Sequence, residues 1–247
     1  GGGIGGAGLG VPFEDAELAQ VLAFAALVVI LAEGGLSTRW DEVRSSFAVG
    51  LSLATIGVAV STTIMALVGH YVLGLDWTLA VLLGAVFAPT DAAAVFSTLR
   101  RVPLSPRLSG ALEAEAGLND APTVVLVTLV SAGAVAEEGV GAVALTIGYE
   151  LVAGAAIGLA VGWLGAIVVR RVALPAVGVY PLLVMTLAVL AYAAGAVAHA
   201  SGFAAVYVAA LVLGNSALPH RVATRSFAEG LAWVSQIGLF VMLGLLS

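Results

Sequence analysis

Gly84-Ala85-Val86-Phe87-Ala88-Pro89-Thr90-Asp91-Ala92-Ala93-Ala94 places a proline and a carboxylate in the middle of one apolar run, residues 77–99. A helix crossing a bilayer core ~30 Å thick needs roughly 20 mostly apolar residues, and this run supplies them. Ionisable groups at that depth are costly and mark ion paths or proton relays. Pro89 has no N–H to offer the carbonyl of Ala85, and it disfavours helical angles at Ala88. The span is therefore expected to break at Ala88–Thr90. Carbonyls freed at membrane depth are tolerated only where protein or water covers them, and there they can coordinate a cation.

The rest of the chain has the same character. Of 247 residues, 61% are hydrophobic and 10% are charged, against about 25% charged in a soluble domain. So few charges cannot cover a soluble surface of this size. The absence of cysteine excludes a disulfide scaffold, and the apolar content excludes intrinsic disorder. Nine arginines, no lysine and a net charge of −6 exclude a nucleic-acid partner. What remains is an all-α polytopic membrane protein.

Eight runs read as transmembrane helices: 17–36, 47–73, 77–99, 108–134, 143–169, 180–199, 202–218 and 228–246. The arginines test that count. Arg39 and Arg44 follow the first run, Arg100, Arg101 and Arg107 the third, Arg170 and Arg171 the fifth, and Arg221 and Arg225 the seventh. Every arginine thus falls on alternate loops, the positive-inside pattern, which places those loops in the cytoplasm and the acidic Glu14-Asp15-Glu17 end outside. The seventh run is short and begins Ser201-Gly202-Phe203, as a re-entrant segment does, but only a crossing keeps Arg221 and Arg225 on the side of the others. The fifth carries Gly154-x-x-x-Gly158-x-x-x-Gly162, a stripe read as close helix packing, with a sliding or dimer surface as the alternative. Because apolar sequence runs to Leu246 and residue 1 is a glycine, the chain reads as one partial transmembrane domain, 1–247, with further helices expected before and after it.

The fourth run holds the other carboxylates, in Glu113-Ala114-Glu115-Ala116-Gly117-Leu118-Asn119-Asp120-Ala121-Pro122. Asp91 lies 15 residues from Asp76, and Asp120 lies 13 from Arg107; as helix these are ~22 and ~20 Å, toward the middle of the core from opposite sides. Glu115 and Asn119 are spaced i, i+4, so the amide is expected to hold the glutamate and leave Asp120 to face the third span. Burial and a neighbouring carboxylate both disfavour the charged form of such a group. Proton and cation then compete for one site, and exchange follows if it crosses carrying one or the other. Hard oxygen ligands with no nitrogen or sulfur nearby suit an alkali ion over a transition metal. Glu33 sits near the arginine-bearing end of the first span, and Glu150 lies about two turns into the fifth with no partner nameable from the sequence.

Leu31-Ala32-Glu33-Gly34-Gly35-Leu36, Ala88-Pro89-Thr90-Asp91-Ala92-Ala93-Ala94-Val95-Phe96, Glu115-Ala116-Gly117-Leu118-Asn119-Asp120 and Ser201-Gly202-Phe203-Ala204-Ala205-Val206-Tyr207-Val208 resemble the monovalent cation:proton antiporter family, the sodium/hydrogen exchanger group, and most of all its bacterial potassium/proton branch. The resemblance implies an inverted-repeat antiporter fold of twelve or thirteen helices, of which about eight are present, in a homodimer in the bacterial inner membrane. It implies that Asp120 carries cation or proton, that Asp91, the Thr90 backbone and Asn119 complete the cation- and proton-binding set, and that Glu115 is structural, with Pro89 and Glu33 in support. The cargo is then a potassium or sodium ion and protons, with no cofactor, and an Asn-Asp pair implies electroneutral one-for-one exchange. Two departures stand out. Ala116 replaces a serine that ligates the cation in some members, and the buried arginine that pairs with the glutamate falls outside these residues.

Two other readings use the same residues. An intramembrane aspartyl protease also needs two aspartates on neighbouring helices, and Gly117-Leu118-Asn119-Asp120 approaches its Gly-x-Gly-Asp pattern, but asparagine occupies the third position. A cation channel needs a continuous polar path, whereas Thr78–Phe87 and Val124–Gly133 are largely apolar. Alternating access to a closed site fits better than either.

Overall fold

The computed structural model describes residues 16–89, 105, 108, 111–112, 114–115, 118–133 and 139–246, which are helical with no strand among them. In chain order the helices are α1 (Ala16–Ser37), α2 (Trp40–Val43), α3 (Phe47–Ser52), a π-helical turn (Leu53–Gly57), α4 (Val58–Tyr71), α5 (Trp77–Phe87), α6 (Asp120–Ser131), α7 (Val140–Arg171), α8 (Val179–Val197), α9 (Gly202–Asn215) and α10 (Arg221–Leu246). Each of the eight runs contains a helix. Five helices are long and apolar enough to cross a membrane: α1, the continuous rod Phe47–Tyr71, α7, α8 and α10. Helices α5, α6 and α9 are apolar but shorter.

Helix α5 is started by Asp76, whose Oδ1 accepts from the N–H groups of Thr78 at 2.9 Å and Leu79 at 3.2 Å. It ends at Phe87, two residues before Pro89, where the proline was expected to break the span. Ala88 itself keeps helical angles, φ −74° and ψ −42°, against the expectation that the proline would displace it. A following proline disfavours that region without forbidding it.

The bundle is organised around α9, ten of whose fourteen residues are buried. Helices α1 and α7 flank it in parallel, and α8 returns against it through a tight turn at 198–201. Glycine makes these approaches possible. A Cβ on Gly154 or Gly158 would overlap the carbonyl oxygens of Ser201 and Ala205, and one on Gly162 would stand 2.9 Å from that of Ala209. The stripe on α7 is therefore spent inside the chain, on backbone-to-backbone contact with α9, and not on a dimer surface. Helix α1 closes on α9 in the same way: a Cβ on Gly35 would lie 2.6 Å from the Tyr207 oxygen, and one on Gly214 would lie 2.5 Å from that of Leu36.

The arginine-bearing ends of three helices are fastened together. Asn215 Nδ2 donates to the carbonyls of Thr38 at 2.9 Å and Leu211 at 2.8 Å, while its Oδ1 accepts from Trp40 N–H at 2.9 Å. Arg225, on the first turns of α10, donates from Nε to Leu36 O at 3.0 Å and from Nη2 to Gly214 O at 3.3 Å. Carbonyls at helix C-termini lack intrahelical partners and carry partial negative charge, so one guanidinium satisfies two helix ends. Helix α7, 32 residues, is by far the longest element, at ~48 Å.

Candidate ion-binding site

An i, i+4 backbone hydrogen bond precedes α6: Asn119 N–H donates to Glu115 O at 3.0 Å. That geometry puts the two side chains on one face. Asn119 Nδ2 donates to Glu115 Oε1 at 3.2 Å, as the i, i+4 spacing leads one to expect. Asn119 is fully buried and Glu115 is 9% exposed. Gly50 of α3 packs over the same turn, where a Cβ would overlap that of Ala114 and stand 3.0 Å from Glu115 N. Thr123 Oγ1 caps the turn from the other side, donating to Asn119 O at 2.9 Å. Pro122 is buried and has no N–H for the carbonyl of Leu118.

Asp120 is the first residue of α6. It remains partly exposed, in contrast to the shut-in asparagine one residue earlier. Helix α6 packs against α5, so the third and fourth spans adjoin as expected. Pro89 lies just past the end of α5. Thr90, Asp91, Glu113 and Ala116 lie outside the described residues. Glu33 accepts from Ser37 Oγ at 2.6 Å, within its own helix.

The sequence offered no signal for Thr62. Its hydroxyl is buried with no hydrogen-bond partner among the described residues, and its carbonyl lies in the close α4–α5 contact at Gly84. Thr55 and Thr63 in the same rod bond back to the carbonyls of Leu51 at 2.8 Å and Ala59 at 2.7 Å, the habit of threonines in apolar helices. The histidines lie at helix ends and turns. His70 Nδ1 is 2.8 Å from Leu75 O and its ring stacks on Trp77 at 4.1 Å, while His199 and His220 adopt positive φ of 52°.

A carboxylate beside a rigid, buried amide–carboxylate pair offers oxygen ligands to a proton or a small hard cation. The pair must be intact for that. Asn119→Ala is expected to remove one buried hydrogen bond to Glu115, at about 1–3 kcal/mol. This reads out as an unfolding midpoint several degrees lower for the detergent-solubilised protein; an unchanged midpoint would show that the pair does not brace the site.

The family model of the transmembrane sodium/hydrogen exchanger matches residues 1–246. The chain is 36% identical over 241 residues to the K(+)/H(+) antiporter NhaP of Alkalimonas amylolytica, covering 96% of this chain and 42% of that protein. It is 38% identical over 240 residues to K(+)/H(+) antiporter NhaP2 of Shewanella sp. strain ANA-3, with the same coverage of 96% and 42%. Among solved structures, the sodium proton antiporter MjNhaP1 of Methanocaldococcus jannaschii superposes with a TM-score of 0.71 at 22% identity, over 93% of this chain and 59% of that one. The chain spans about two-fifths of the length of the curated relatives it matches.

Proposed function

The chain belongs to the transmembrane sodium/hydrogen exchanger family, and on that footing we propose that the whole protein exchanges a monovalent cation for protons, the two competing at Asp120. The observation that carries this reading is the buried Glu115–Asn119 hydrogen bond, which fixes the turn and leaves the adjacent carboxylate accessible. On this reading Asp91 and the carbonyls near Thr90 supply the facing ligands, and the packing of α5 on α6 supports it. Potassium is the preferred ion, because the relatives that share over a third of this sequence are named K(+)/H(+) antiporters. The site alternates between the two faces of a bacterial inner membrane, the arginine-bearing loops are cytoplasmic, and the protein works as a homodimer.

The test uses the full-length parent in everted membrane vesicles with a dye that reports ΔpH. Addition of potassium is expected to dissipate the gradient more effectively than addition of sodium. No response to either ion at any pH would overturn the proposal, and a larger response to sodium would reverse the ion assignment.

A further inference from the structure

A cavity of about 170 Å³ lies on the arginine-poor side of the bundle, between α1, α6, α7, α8 and the start of α9. Glu150 of α7 lines it. This glutamate is ten residues from the start of α7, ~15 Å along the helix, and it precedes Gly154 by one turn. It therefore continues the Gly154–Gly158–Gly162 face that is pressed against α9. Ser201 N–H donates to the Glu150 carbonyl at 3.0 Å and fixes α9 at that level. A carboxylate in a span this apolar is costly and is a functional group by default.

The cavity is aligned with Asp120. Residues 120, 124 and 128 share one face of α6, and Val124 and Thr128 both line the cavity. It thus begins one turn, ~6 Å, beyond Asp120 and reaches ~12 Å beyond it along the helix axis. Its wall combines Glu150 with the hydroxyl-bearing residues Thr128, Tyr192 and Ser201 and with Phe24 and Phe203. The rings meet edge to face, Phe24–Phe203 at 5.4 Å and Tyr192–Phe203 at 5.2 Å. One carboxylate, hydroxyl oxygens and aromatic faces form a set that a partly dehydrated monovalent cation takes well. Of the other titratable groups, Tyr192 on α8 lines the cavity, and His199 in the α8–α9 turn is close enough for its charge to act on Glu150. Helices α1, α6 and α9 contribute no titratable group to the wall.

We propose that this cavity is a second station for the transported monovalent cation, between Asp120 and the arginine-poor face, with Glu150 as its carboxylate. The proposal rests on the exchange reading above. Because the sequence has no cysteine, a single Thr128→Cys substitution gives one addressable thiol here. In the full-length protein that thiol is expected to react with a cationic, membrane-impermeant methanethiosulfonate, and saturating potassium or sodium is expected to slow the reaction. Glu150→Gln in the same background should abolish the protection. In exchange assays Glu150→Gln should raise the KM for the cation about tenfold, the weight of one charged ligand, with little change in maximal rate. Glu150→Asp should recover most of the affinity. Labelling of the Thr128→Cys protein that neither cation slows would overturn the second station, and this holds even if Glu150→Gln does not fold. So would a KM in Glu150→Gln equal to that of the parent. If exchange is lost in Asp120→Asn but its KM is untouched in Glu150→Gln, only the second station falls; if exchange survives Asp120→Asn, the assignment of Asp120 falls.

Discussion

Asp120→Asn in the full-length parent is expected to reduce cation-dependent proton movement below detection. The substitution preserves the size of the side chain and removes its ability to take a proton or to present a negative charge to a cation. Both partners of the exchange lose their site together, so no residual one-ion leak should remain. Because the substitution is isosteric and Asp120 is partly exposed, the unfolding midpoint should stay close to that of the parent. The measurement is ΔpH dissipation by potassium and sodium in everted vesicles, beside thermal unfolding of the purified protein. Exchange surviving in the variant would move the site elsewhere, with Asp91 the next carboxylate to test.

Gly158→Leu is expected to have the largest structural effect. A Cβ there already overlaps the Ala205 carbonyl oxygen and stands 3.0 Å from both Ala205 Cα and Val208 Cβ. Backbone cannot swing aside as a flexible side chain can, so α9 must move bodily. Overpacking in a filled core costs about 1–3 kcal/mol when side chains can adjust, and here the obstructing atoms belong to the central helix. We expect loss of the monodisperse protein on size-exclusion chromatography, or an unfolding midpoint many degrees lower. Gly148→Ala on the same helix, where nothing lies within 4 Å, is the control and should be neutral or slightly stabilising, since alanine favours a helix by up to about 1 kcal/mol over glycine. Equal effects from the two substitutions would show that the α7–α9 contact is not what holds the bundle.

What could be read from the sequence was what depends on local spacing. Apolar runs and arginines gave helices in the expected places, Pro89 marked the end of α5 to within two residues, and i, i+4 spacing anticipated the Glu115–Asn119 bond. Non-local packing escaped. Nothing in the apolar sequence of α9 distinguishes a helix at the centre of the bundle from one facing lipid; its burial depends on glycines of α1 and α7. Helix α10 begins at Arg221, not at 228, because Arg221 and Arg225 look like loop residues until Arg225 is seen to cap α1 and α9. The π-helical turn at Leu53–Gly57 has no proline to announce it. Glu150 had no partner in the sequence because the residues that share its cavity on α8 and α9 come some forty to fifty positions later.

The length of α7 ties this protein to the lipid around it. At ~48 Å the helix exceeds a hydrocarbon core of ~30 Å by more than half. Arg170 and Arg171 anchor one end at the headgroups, and the glycine stripe pins its middle to α9. The excess falls on the end beginning at Val140, where Val140, Leu145, Tyr149 and Val152 are all more than 60% exposed. Those side chains need acyl chains or neighbouring protein around them, which α7 obtains by leaning over or by drawing a thicker leaflet up to itself. Glu150, which lines the cavity, lies on that same half of α7, so acyl-chain length bears on how the cavity sits relative to the membrane surface.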